Sequence, residues 1–311
     1  MLCANLIEAI GNTPLVELQS LSPKPGVRLF AKLEGQNPTG SVKDRIARYM
    51  IEAAEASGEL TPDRTVLEPT SGNTGISLAM ICRLKGYRLK VVMPESVSEE
   101  RSQLLRAFGA EIVLSDGLRG TNGSIAVAQQ LAADDPSYYM PYQYGNEANP
   151  RAHYETTGPE ILRDLPEVDV FVAGLGTGGT LTGVGHFLKE RKPEVKVVAC
   201  VPHPGDLVQG LRSLEEGFIP PVLDESVLDG KIVVDSRASF AATKELTQAE
   251  GIFAGVSAGA ILRTAQRVAE RLDRGNIVLL LADGGWKYLS TSLWSKEYED
   301  LGEEIEGKVW W

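Results

Sequence analysis

The chain has 311 residues, of which 43% are hydrophobic and 23% are charged, so it is long enough to form two globular domains. Its formal net charge of −11 argues against partners that need a basic face, which excludes general binding to nucleic acids or to a membrane surface. No apolar run approaches the roughly 20 residues of a membrane span, and no basic region precedes the first apolar residues, so we expect a cytoplasmic protein.

The first half of the chain alternates short apolar strands with amphipathic helices. Residues 27–33 carry apolar side chains at odd positions, which predicts a strand with one buried face. A Pro/Gly/Ser loop and a helix with apolar residues three to four apart follow, and this places Lys43 in the first turn of that helix. The same patterns predict a short helix over 5–10, an extended segment over 13–18, strands over 65–68, 89–93 and 111–114, and helices over 76–84 and around 104–108.

The second half resumes this alternation after an irregular segment, 134–152, where we place the boundary between two α/β halves. Strands are predicted over 168–173, 195–199 and 277–281, and helices over 180–190, 239–250 and 258–271. Alternation of this kind predicts mostly parallel sheets with helices on both faces, which is the α/β fold class.

Cysteine and histidine residues are too scattered to suggest a metal site. They are Cys3, Cys82, Cys200, His153, His186 and His203. Their spacing matches neither a disulfide framework nor a zinc site. We therefore expect no metal in the function of this chain.

Lys43 is unusual because it lies at the start of a helix, where the partial positive charge favours anions. It is either a solvated surface lysine or a lysine partly removed from water near other positive groups. The second environment lowers the pKa of the amine and makes it a nucleophile that can form a Schiff base. Position 43 alone leaves both interpretations open.

Two further loops join a strand to a helix and are rich in glycine or in small polar residues. Residues 174–180, Gly-Leu-Gly-Thr-Gly-Gly-Thr, can bring backbone N–H groups at a helix start close to a phosphate, or can form a tight turn without a ligand. Residues 70–75, Thr-Ser-Gly-Asn-Thr-Gly, can bind a carboxylate through hydroxyl and N–H groups, or can cap a helix through Asn73 or Thr74.

Gly174, Gly176 and Gly179 also match the G-x-G-x-x-G spacing of dinucleotide-binding proteins. That motif requires an acidic residue for the ribose at the end of the next strand. The next strand instead ends at 199–203 with Ala-Cys-Val-Pro-His, and Glu194 precedes the strand. A nicotinamide-dependent enzyme is therefore a disfavoured alternative.

In this order and spacing, the three loops resemble the pyridoxal-phosphate enzymes of fold type II, and most closely the cysteine synthases. The resemblance covers essentially the whole chain and includes 11–15, 68–69, 153–160 and 251–259. It implies a homodimer of chains with two three-layer αβα domains, similar to tryptophan synthase β. It divides the chain into a smaller, mobile, substrate-gripping domain, 1–12 with 35–148, and a larger domain for the cofactor phosphate, 13–34 with 149–311.

The same resemblance assigns roles to the candidate residues. Lys43 forms the Schiff base with pyridoxal 5'-phosphate and, once freed, acts as the base at the α-carbon of the substrate. The other cofactor ligands are Asn73 at the ring oxygen, Gly176, Thr177, Gly178, Gly179 and Thr180 at the phosphate, and Ser257 at the pyridine nitrogen. The substrate carboxylate binds Thr70, Ser71, Gly72, Thr74 and Gln143. Ser257 can also be interpreted as a helix N-cap, and Gln143 as an ordinary loop amide.

The implied reaction is a β-replacement that gives L-cysteine. A serine hydroxyl cannot keep the pyridine nitrogen protonated as a carboxylate would, which favours loss of the β-substituent of the substrate over transamination. Sulfide, or a small ubiquitin-like carrier protein with a C-terminal thiocarboxylate, then supplies the sulfur.

Arg212 is the residue on which the choice of substrate depends. It aligns with an arginine of the B-type synthases that use O-phospho-L-serine, and a guanidinium suits a phosphate dianion better than an acetyl ester. The alternatives are O-acetyl-L-serine as substrate, and a plain surface ion pair with Glu215 or Glu216. Residues 282–291 and the tryptophan-ended tail resemble the same branch, and 303–311 are predicted either to cover the site as a lid or to fray.

Other proteins of the same fold are alternatives. Serine/threonine dehydratases are disfavoured because they have a phenylalanine before the lysine and lack the 70–75 loop. Cystathionine β-synthase shares the loops at Lys43 and Thr70 and is the main alternative. A catalytically inactive module with this fold is poorly supported, because every cofactor residue is present.

Overall fold

A computed structural model describes residues 2–70, 72–95, 97–204, 206, 208–296 and 298–299. The strands are β1 (Leu15–Leu18), β2 (Val27–Leu33), β3 (Thr65–Pro69), β4 (Arg88–Pro94), β5 (Glu111–Ser115), β6 (Tyr138–Tyr139), β7 (Val170–Gly174), β8 (Lys196–Pro202), β9 (Gly230–Val234) and β10 (Gly275–Leu281). The α-helices are α1 (Lys43–Ser57), α2 (Asn73–Lys85), α3 (Glu99–Ala107), α4 (Gly120–Asp134), α5 (Ala148–Ala152), α6 (Gly158–Asp164), α7 (Gly179–Arg191), α8 (Ser236–Glu250) and α9 (Val256–Ala269). A π-helix, His153–Thr157, joins α5 to α6, and 3₁₀ turns include Leu6–Ala9 and Gly285–Thr291.

These strands form two sheets. The larger sheet has the order β1-β2-β10-β7-β8-β9, and its neighbours are parallel except for the antiparallel pair β1 and β2. The smaller sheet has the order β5-β4-β3-β6 and is parallel throughout. This arrangement confirms the predicted α/β class with two mostly parallel sheets. Within the described ranges, no helix combines the length and the apolar character that crossing a bilayer requires.

Apart from the exposed Arg28, strand β2 is buried on both faces, whereas its alternating sequence predicted one buried face. Leu29 packs into the core beneath α8 and α9, and Phe30 on the opposite face packs into the core beneath α6 and α7. Lys32 is fully buried on that second face as well. Because helices cover both faces of a parallel sheet, a central strand has no solvent-facing side.

Five of these helices and strands were not predicted from the sequence: α4, α5, α6, β6 and β9. Helix α4 precedes the irregular segment, and the two-residue strand β6 within that segment pairs with β3 of the smaller sheet. Strand β9 pairs with β8 at the edge of the larger sheet, and its side chains are mostly exposed or half-buried.

Two helices in the candidate site begin after glycine rather than after a polar cap. The N-cap of α2 is Gly72 and that of α9 is Gly255, and neither helix has a side-chain cap hydrogen bond. The alternative interpretations of Asn73, Thr74 or Ser257 as N-caps were therefore wrong. All three side chains are free to make other contacts.

Helix α1 packs against elements of both halves of the chain. Ala47 and Ile51 belong to the core of the smaller sheet, whereas Ile46 and Met50 pack against α5. The reactive candidate Lys43 is the first residue of this helix. The helix therefore carries the amine to the junction between the two sheets.

A buried network of charges holds the first turn of α1. Arg45 contacts Glu34 and Glu160 at 2.7 Å each, and Lys32 contacts Glu160 at 2.7 Å. Thr13 donates its hydroxyl to Glu34 at 2.6 Å. Because each charge has an opposite partner and further hydrogen bonds, the network offsets the desolvation cost of burying these groups.

Candidate active site

The candidate residues meet at the carboxyl ends of the parallel strands, which is where ligands bind in open α/β sheets. Segments that follow β3, β7, β8 and β10 converge there with the start of α1 and enclose two adjoining cavities. Both cavities are lined by Lys43, Asn73, Gly176 and Thr177. The inner cavity is also lined by Gly178, Thr180, Ser257 and Asp283. The outer cavity is also lined by Thr70, Gly72, Thr74, Arg101, Thr121, Gln143, Tyr144 and Arg212.

The structure thus brings together the described candidates for cofactor and substrate binding, with one exception. Gly179, the first residue of α7, does not line either cavity and lies against Asn149. Ser71 lies outside the described residues, as does the predicted lid over 303–311.

Lys43 lies between the two cavities and is partly exposed to them. Its amine has no hydrogen-bond partner among the described residues, and its burial lowers its pKa to about 8, while the charge of Asp283 opposes that shift. An amine in this environment is more often neutral at physiological pH than a surface lysine, so it is the better nucleophile.

Asn73 is held in one orientation by two charged side chains. The Lys287 ammonium donates to Asn73 Oδ1 at 2.7 Å, and Asn73 Nδ2 donates to Asp283 Oδ2 at 2.7 Å. The Tyr288 hydroxyl donates to the same Asp283 oxygen at 2.7 Å. Because an ammonium has only donors, it selects the amide oxygen and leaves the second Nδ2 hydrogen of Asn73 for a ligand.

Sequence reasoning missed the role of Asp283 and Lys287. Both lie in residues 282–291, which the sequence analysis compared with the O-phosphoserine-using branch without giving any single residue a role. Burial lowers the pKa of Lys287 to about 8, with Asp283 and Asp44 opposing the shift. A buried lysine next to an aspartate has no signature in sequence spacing, because residues 210 or more positions apart form the contact with Asn73.

The loop after β7 has the backbone shape that its glycines suggested. Gly178 has φ of +88°, which favours glycine, and α7 begins at the next residue. A Cβ at Gly179 would lie 1.9 Å from Asn149 Oδ1, so a larger residue cannot occupy this position. Thr177 Oγ1 accepts a hydrogen bond from Asn149 Nδ2 at 3.0 Å. These features make a helix N-terminus with open N–H groups and hydroxyls, which fits a phosphate.

A buried histidine supports the far side of this loop. Thr180 Oγ1 lies 3.2 Å from His153 Nε2, and His153 Nδ1 lies 2.9 Å from Thr157 Oγ1 across one turn of the π-helix. Burial, together with the charges of Arg45 and Lys43, lowers the pKa of His153 well below its usual value. The imidazole is therefore neutral and can orient the Thr180 hydroxyl.

Ser257 is the second residue of α9 and is 5% exposed. Its hydroxyl lines the inner cavity and has no side-chain partner among the described residues. The position therefore offers a neutral hydroxyl at a helix start.

The loop after β3 is held to the segment after β6. Thr74 donates its hydroxyl to Gln143 Oε1 at 2.7 Å, and Gly72 N–H donates to Thr70 Oγ1 at 3.2 Å. The buried Glu68 carboxylate accepts the Gln143 N–H at 3.0 Å. Burial raises the pKa of Glu68 to about 7, and the backbone hydrogen bonds oppose that shift. Gln143 is thus fixed by its backbone and its side chain, unlike an ordinary loop amide.

Arg212 lies in the wall of the outer cavity and is 7% exposed. Its guanidinium carbon lies 4.8 Å from the ring centroid of Phe218 and 5.5 Å from that of Tyr144, which is cation–π geometry. No described carboxylate forms an ion pair with it. The surface ion pair with Glu215, considered from the sequence, is not formed, and the side chain of Glu216 lies outside the described part of the structure.

The comparisons with known proteins agree with this geometry. A family model described as pyridoxal-phosphate dependent enzyme matches residues 6–283. A cysteine synthase from Staphylococcus aureus is 42% identical over 301 residues, which cover 94% of this chain and 97% of that relative. The chain belongs to the cysteine synthase family of pyridoxal-phosphate-dependent enzymes. The nicotinamide alternative is therefore wrong.

Solved structures of the family place the chain among proteins with several named products. An O-ureido-L-serine synthase is 40% identical with a TM-score of 0.90, covering 96% of this chain and 99% of that one. A hydrogen sulfide-producing enzyme from Fusobacterium nucleatum is 42% identical with a TM-score of 0.88, covering 92% and 100%. A cysteine synthase from Entamoeba histolytica is 33% identical with a TM-score of 0.89, covering 98% and 96%. Membership of the cysteine synthase family thus gives the cofactor and the class of reaction, but not the serine ester.

Proposed function

We propose that this enzyme makes L-cysteine from an O-activated L-serine and that it prefers O-phospho-L-serine. The observation that carries this preference is the buried guanidinium of Arg212 in the cavity that contains the Lys43 amine, without a described carboxylate beside it. A buried cation is costly unless a ligand supplies the opposite charge. A phosphate ester supplies that charge, whereas an acetyl ester does not.

Pyridoxal phosphate would contact residues of both cavities. Lys43 would bind its aldehyde carbon, Asn73 its ring oxygen, Ser257 its ring nitrogen, and the loop from Gly176 to Thr180 its phosphate. When bound, the cofactor supplies an electron sink that stabilises negative charge at the α-carbon of the substrate. The neutral hydroxyl of Ser257 would leave the ring nitrogen unprotonated, which favours loss of the β-substituent.

The remaining steps would depend on the side chains of this chain. The 70–74 loop, including Ser71, would bind the substrate carboxylate together with Gln143. The released Lys43 amine would take the α-proton, since its lowered pKa keeps a useful fraction of it neutral. Arg212 would hold the phosphate while the Cβ–O bond breaks and its electron pair leaves with the phosphate. Sulfide would then add to the β-carbon, and Lys43 would return the proton to the α-carbon.

The test compares two substrates in two arginine variants. We expect Arg212→Ala to lower kcat/KM for O-phosphoserine by about a hundredfold, because a charged hydrogen-bonding group to the phosphate is lost. The value for O-acetylserine should fall much less. Arg271→Ala, which removes an exposed arginine, is the control. Equal losses for both esters would contradict the proposed preference.

The main alternative is tested by changing the nucleophile. A cystathionine β-synthase would combine serine with homocysteine, whereas the proposed enzyme would form cysteine from the phosphate ester and sulfide. Faster cystathionine formation than cysteine formation by the wild-type protein would replace the proposal.

Further parts of the proposal concern the sulfur source and the assembly. We propose that sulfide, or a thiocarboxylated ubiquitin-like carrier protein, is the donor and that the enzyme is a homodimer whose smaller half, 1–12 with 35–148, moves against the larger. The position of the cavities between the two sheets supports such a movement. Light scattering tests the dimer, and cysteine formation from a thiocarboxylated carrier tests the donor.

A further inference from the structure

The outer cavity contains a second arginine and a threonine to which no role has been assigned. Arg101 lies on α3 and Thr121 on α4, and both line the outer cavity together with Arg212. Their relative exposures are only 2% and 3%. Neither helix contributed a candidate residue from the sequence.

Arg101 is buried without a counter-ion. Its Nη1 donates to Ser98 Oγ at 3.2 Å, and its guanidinium carbon lies 5.0 Å from the ring centroid of Tyr288. Among the described residues, its buried Nε has no hydrogen-bond partner and no carboxylate forms an ion pair with the side chain. A Cβ at Gly72 would lie 2.6 Å from this Nε, so the absence of a side chain at Gly72 makes room for the guanidinium.

Thr121 is a second polar group without a partner in the same wall. Its Oγ1 is buried and makes no hydrogen bond with any residue that the structure describes. It is the second residue of the 15-residue helix α4, so its hydroxyl lies near the helix N-terminus, where the helix dipole is positive. Buried hydroxyls are usually hydrogen-bonded, and an unpaired one in a cavity wall indicates a ligand.

The charges around the outer cavity have one sign. Its lining includes Lys43, Arg101 and Arg212, and none of the described residues that line it is an aspartate or a glutamate. This cavity belongs to a chain with a net charge of −11, so its positive character is local. The substrate carboxylate already has neutral donors in the loop after β3. The two guanidinium groups and the hydroxyl therefore match an additional, doubly charged anion.

We propose that Arg101 and Thr121 form, together with Arg212, the binding site for the phosphate group of the substrate. This inference rests on the proposed use of O-phosphoserine and adds two specificity residues to it. The hydrogen phosphate released by Cβ–O cleavage retains the charge that the site binds. Inorganic phosphate is therefore a competitive inhibitor of the amino acid substrate.

The experiment uses the cofactor-loaded enzyme and paired variants at each position. Arg101→Gln removes the positive charge, Thr121→Val removes the hydroxyl, and Thr121→Ser keeps the hydroxyl. Arg106→Gln, an exposed arginine on the same helix α3, is the matched control. For each protein one measures kcat/KM for O-phosphoserine and for O-acetylserine, and the inhibition constant of inorganic phosphate in the O-acetylserine reaction.

We expect Arg101→Gln and Thr121→Val to lower kcat/KM for O-phosphoserine about tenfold more than for O-acetylserine, because the first removes a charged donor to the phosphate and the second removes a hydroxyl donor to it. The inhibition constant of phosphate should rise by a similar factor. Thr121→Ser and Arg106→Gln should behave as wild type. Equal losses for both esters, or an unchanged phosphate inhibition constant, would overturn the proposal. Circular dichroism and cofactor absorbance show whether each variant is folded and loaded.

The same measurements distinguish an error in the proposed O-phosphoserine preference from an error in the proposed phosphate site. If the wild type uses only O-acetylserine, but phosphate inhibits it and inhibits Arg101→Gln more weakly, the anion site stands without a phosphorylated substrate. If the wild type uses O-phosphoserine and phosphate does not inhibit it, the preference stands and the proposed site is wrong.

Discussion

Lys43, which is partly exposed to the two cavities, and the fully buried Lys287 have amines at the same end of the molecule with different surroundings. Burial lowers the pKa of each to about 8. The Lys287 amine is committed to Asn73 Oδ1, whereas the Lys43 amine has no hydrogen-bond partner among the described residues. Lys43 is therefore the amine available for chemistry, and Lys287 is a positioning residue for Asn73.

Replacing Lys287 should disturb cofactor binding through Asn73. Lys287→Met removes the donor that selects the amide oxygen, so the amide can rotate and present the wrong atom to the ring oxygen. We expect the dissociation constant of pyridoxal phosphate to rise about tenfold, as for loss of a hydrogen bond to a charged group. Fluorescence titration of the cofactor-free protein measures it.

Lys287→Arg is the matched control, because it keeps a charged donor at this position. It should lose less affinity than Lys287→Met, and the absorbance maximum of its bound cofactor should lie closer to that of the wild type. Equal affinities for the two variants would show that the hydrogen bond to Asn73 does not orient the amide.

At the scale of single elements, the loops with unusual backbone were the easiest to predict. The glycines of 174–180 gave the strand-to-helix turn, and Lys43 was placed in the first turn of its helix, where the structure has it. Helices α3 and α4 gave no functional signal, because Arg101 and Thr121 are buried only by contacts with residues distant in sequence. Strand β9 was missed because its only apolar residues are the three in succession at 232–234, which are too few to separate an edge strand from a loop.

The phosphate loop should not tolerate a side chain at Gly178. Its φ of +88° disfavours alanine, and a Cβ there would lie 2.7 Å from Leu223 Cβ. At Gly58, which has φ of +78°, an added Cβ would have no atom within 4 Å, so alanine there costs only the backbone strain. We expect Gly58→Ala to lower the free energy of unfolding by about 1 kcal/mol and Gly178→Ala by about 2 to 4 kcal/mol, since overpacking adds to the strain.

Urea unfolding measures the free energy of unfolding of the two glycine variants, and titration with pyridoxal phosphate compares their affinities for the cofactor. Gly178→Ala should also bind pyridoxal phosphate more weakly, because the N–H groups of the loop move. Equal destabilisation by the two variants would mean that Leu223 can move away without cost.

For the whole molecule, the buried charges around Arg45 connect the two halves of the chain. Burial opposes ionisation of Glu160, but the hydrogen bonds and charges of Arg45 and Lys32 outweigh it and lower the pKa of Glu160 to about 2. In the unfolded chain the same carboxyl has a pKa near 4.5. The stability that Glu160 contributes is complete above pH 4.5 and is lost as the pH falls towards 2.

Glu160→Gln should therefore destabilise the enzyme at neutral pH and reduce its acid sensitivity. We expect a loss of about 3 to 5 kcal/mol in the free energy of unfolding at pH 7, as for breaking a buried pair. The loss should shrink between pH 4.5 and 2, which urea unfolding at several pH values measures.

Glu17→Gln, which breaks the exposed pair with Arg28, is the control and should cost less than about 1 kcal/mol. A Glu160→Gln variant with the same pH slope as the wild type would contradict the assignment of acid sensitivity to this carboxyl.

Lys43 and Arg45 stand two residues apart on one helix, and Arg45 is anchored to Glu160 of α6. Farther along α1, Ala47 and Ile51 pack on the smaller sheet, while Ile46 and Met50 pack on α5. If the two halves rotate relative to each other about α1, the rotation axis would pass through the first turn of this helix, where Arg45 is anchored. The distance from the Lys43 amine to the loop after β7, residues 174–180, would then stay constant during the rotation. The loop after β3, residues 70–75, would move towards that amine. The contacts to the cofactor would thus stay the same throughout a turnover, and only the distance between Lys43 and the bound amino acid would change.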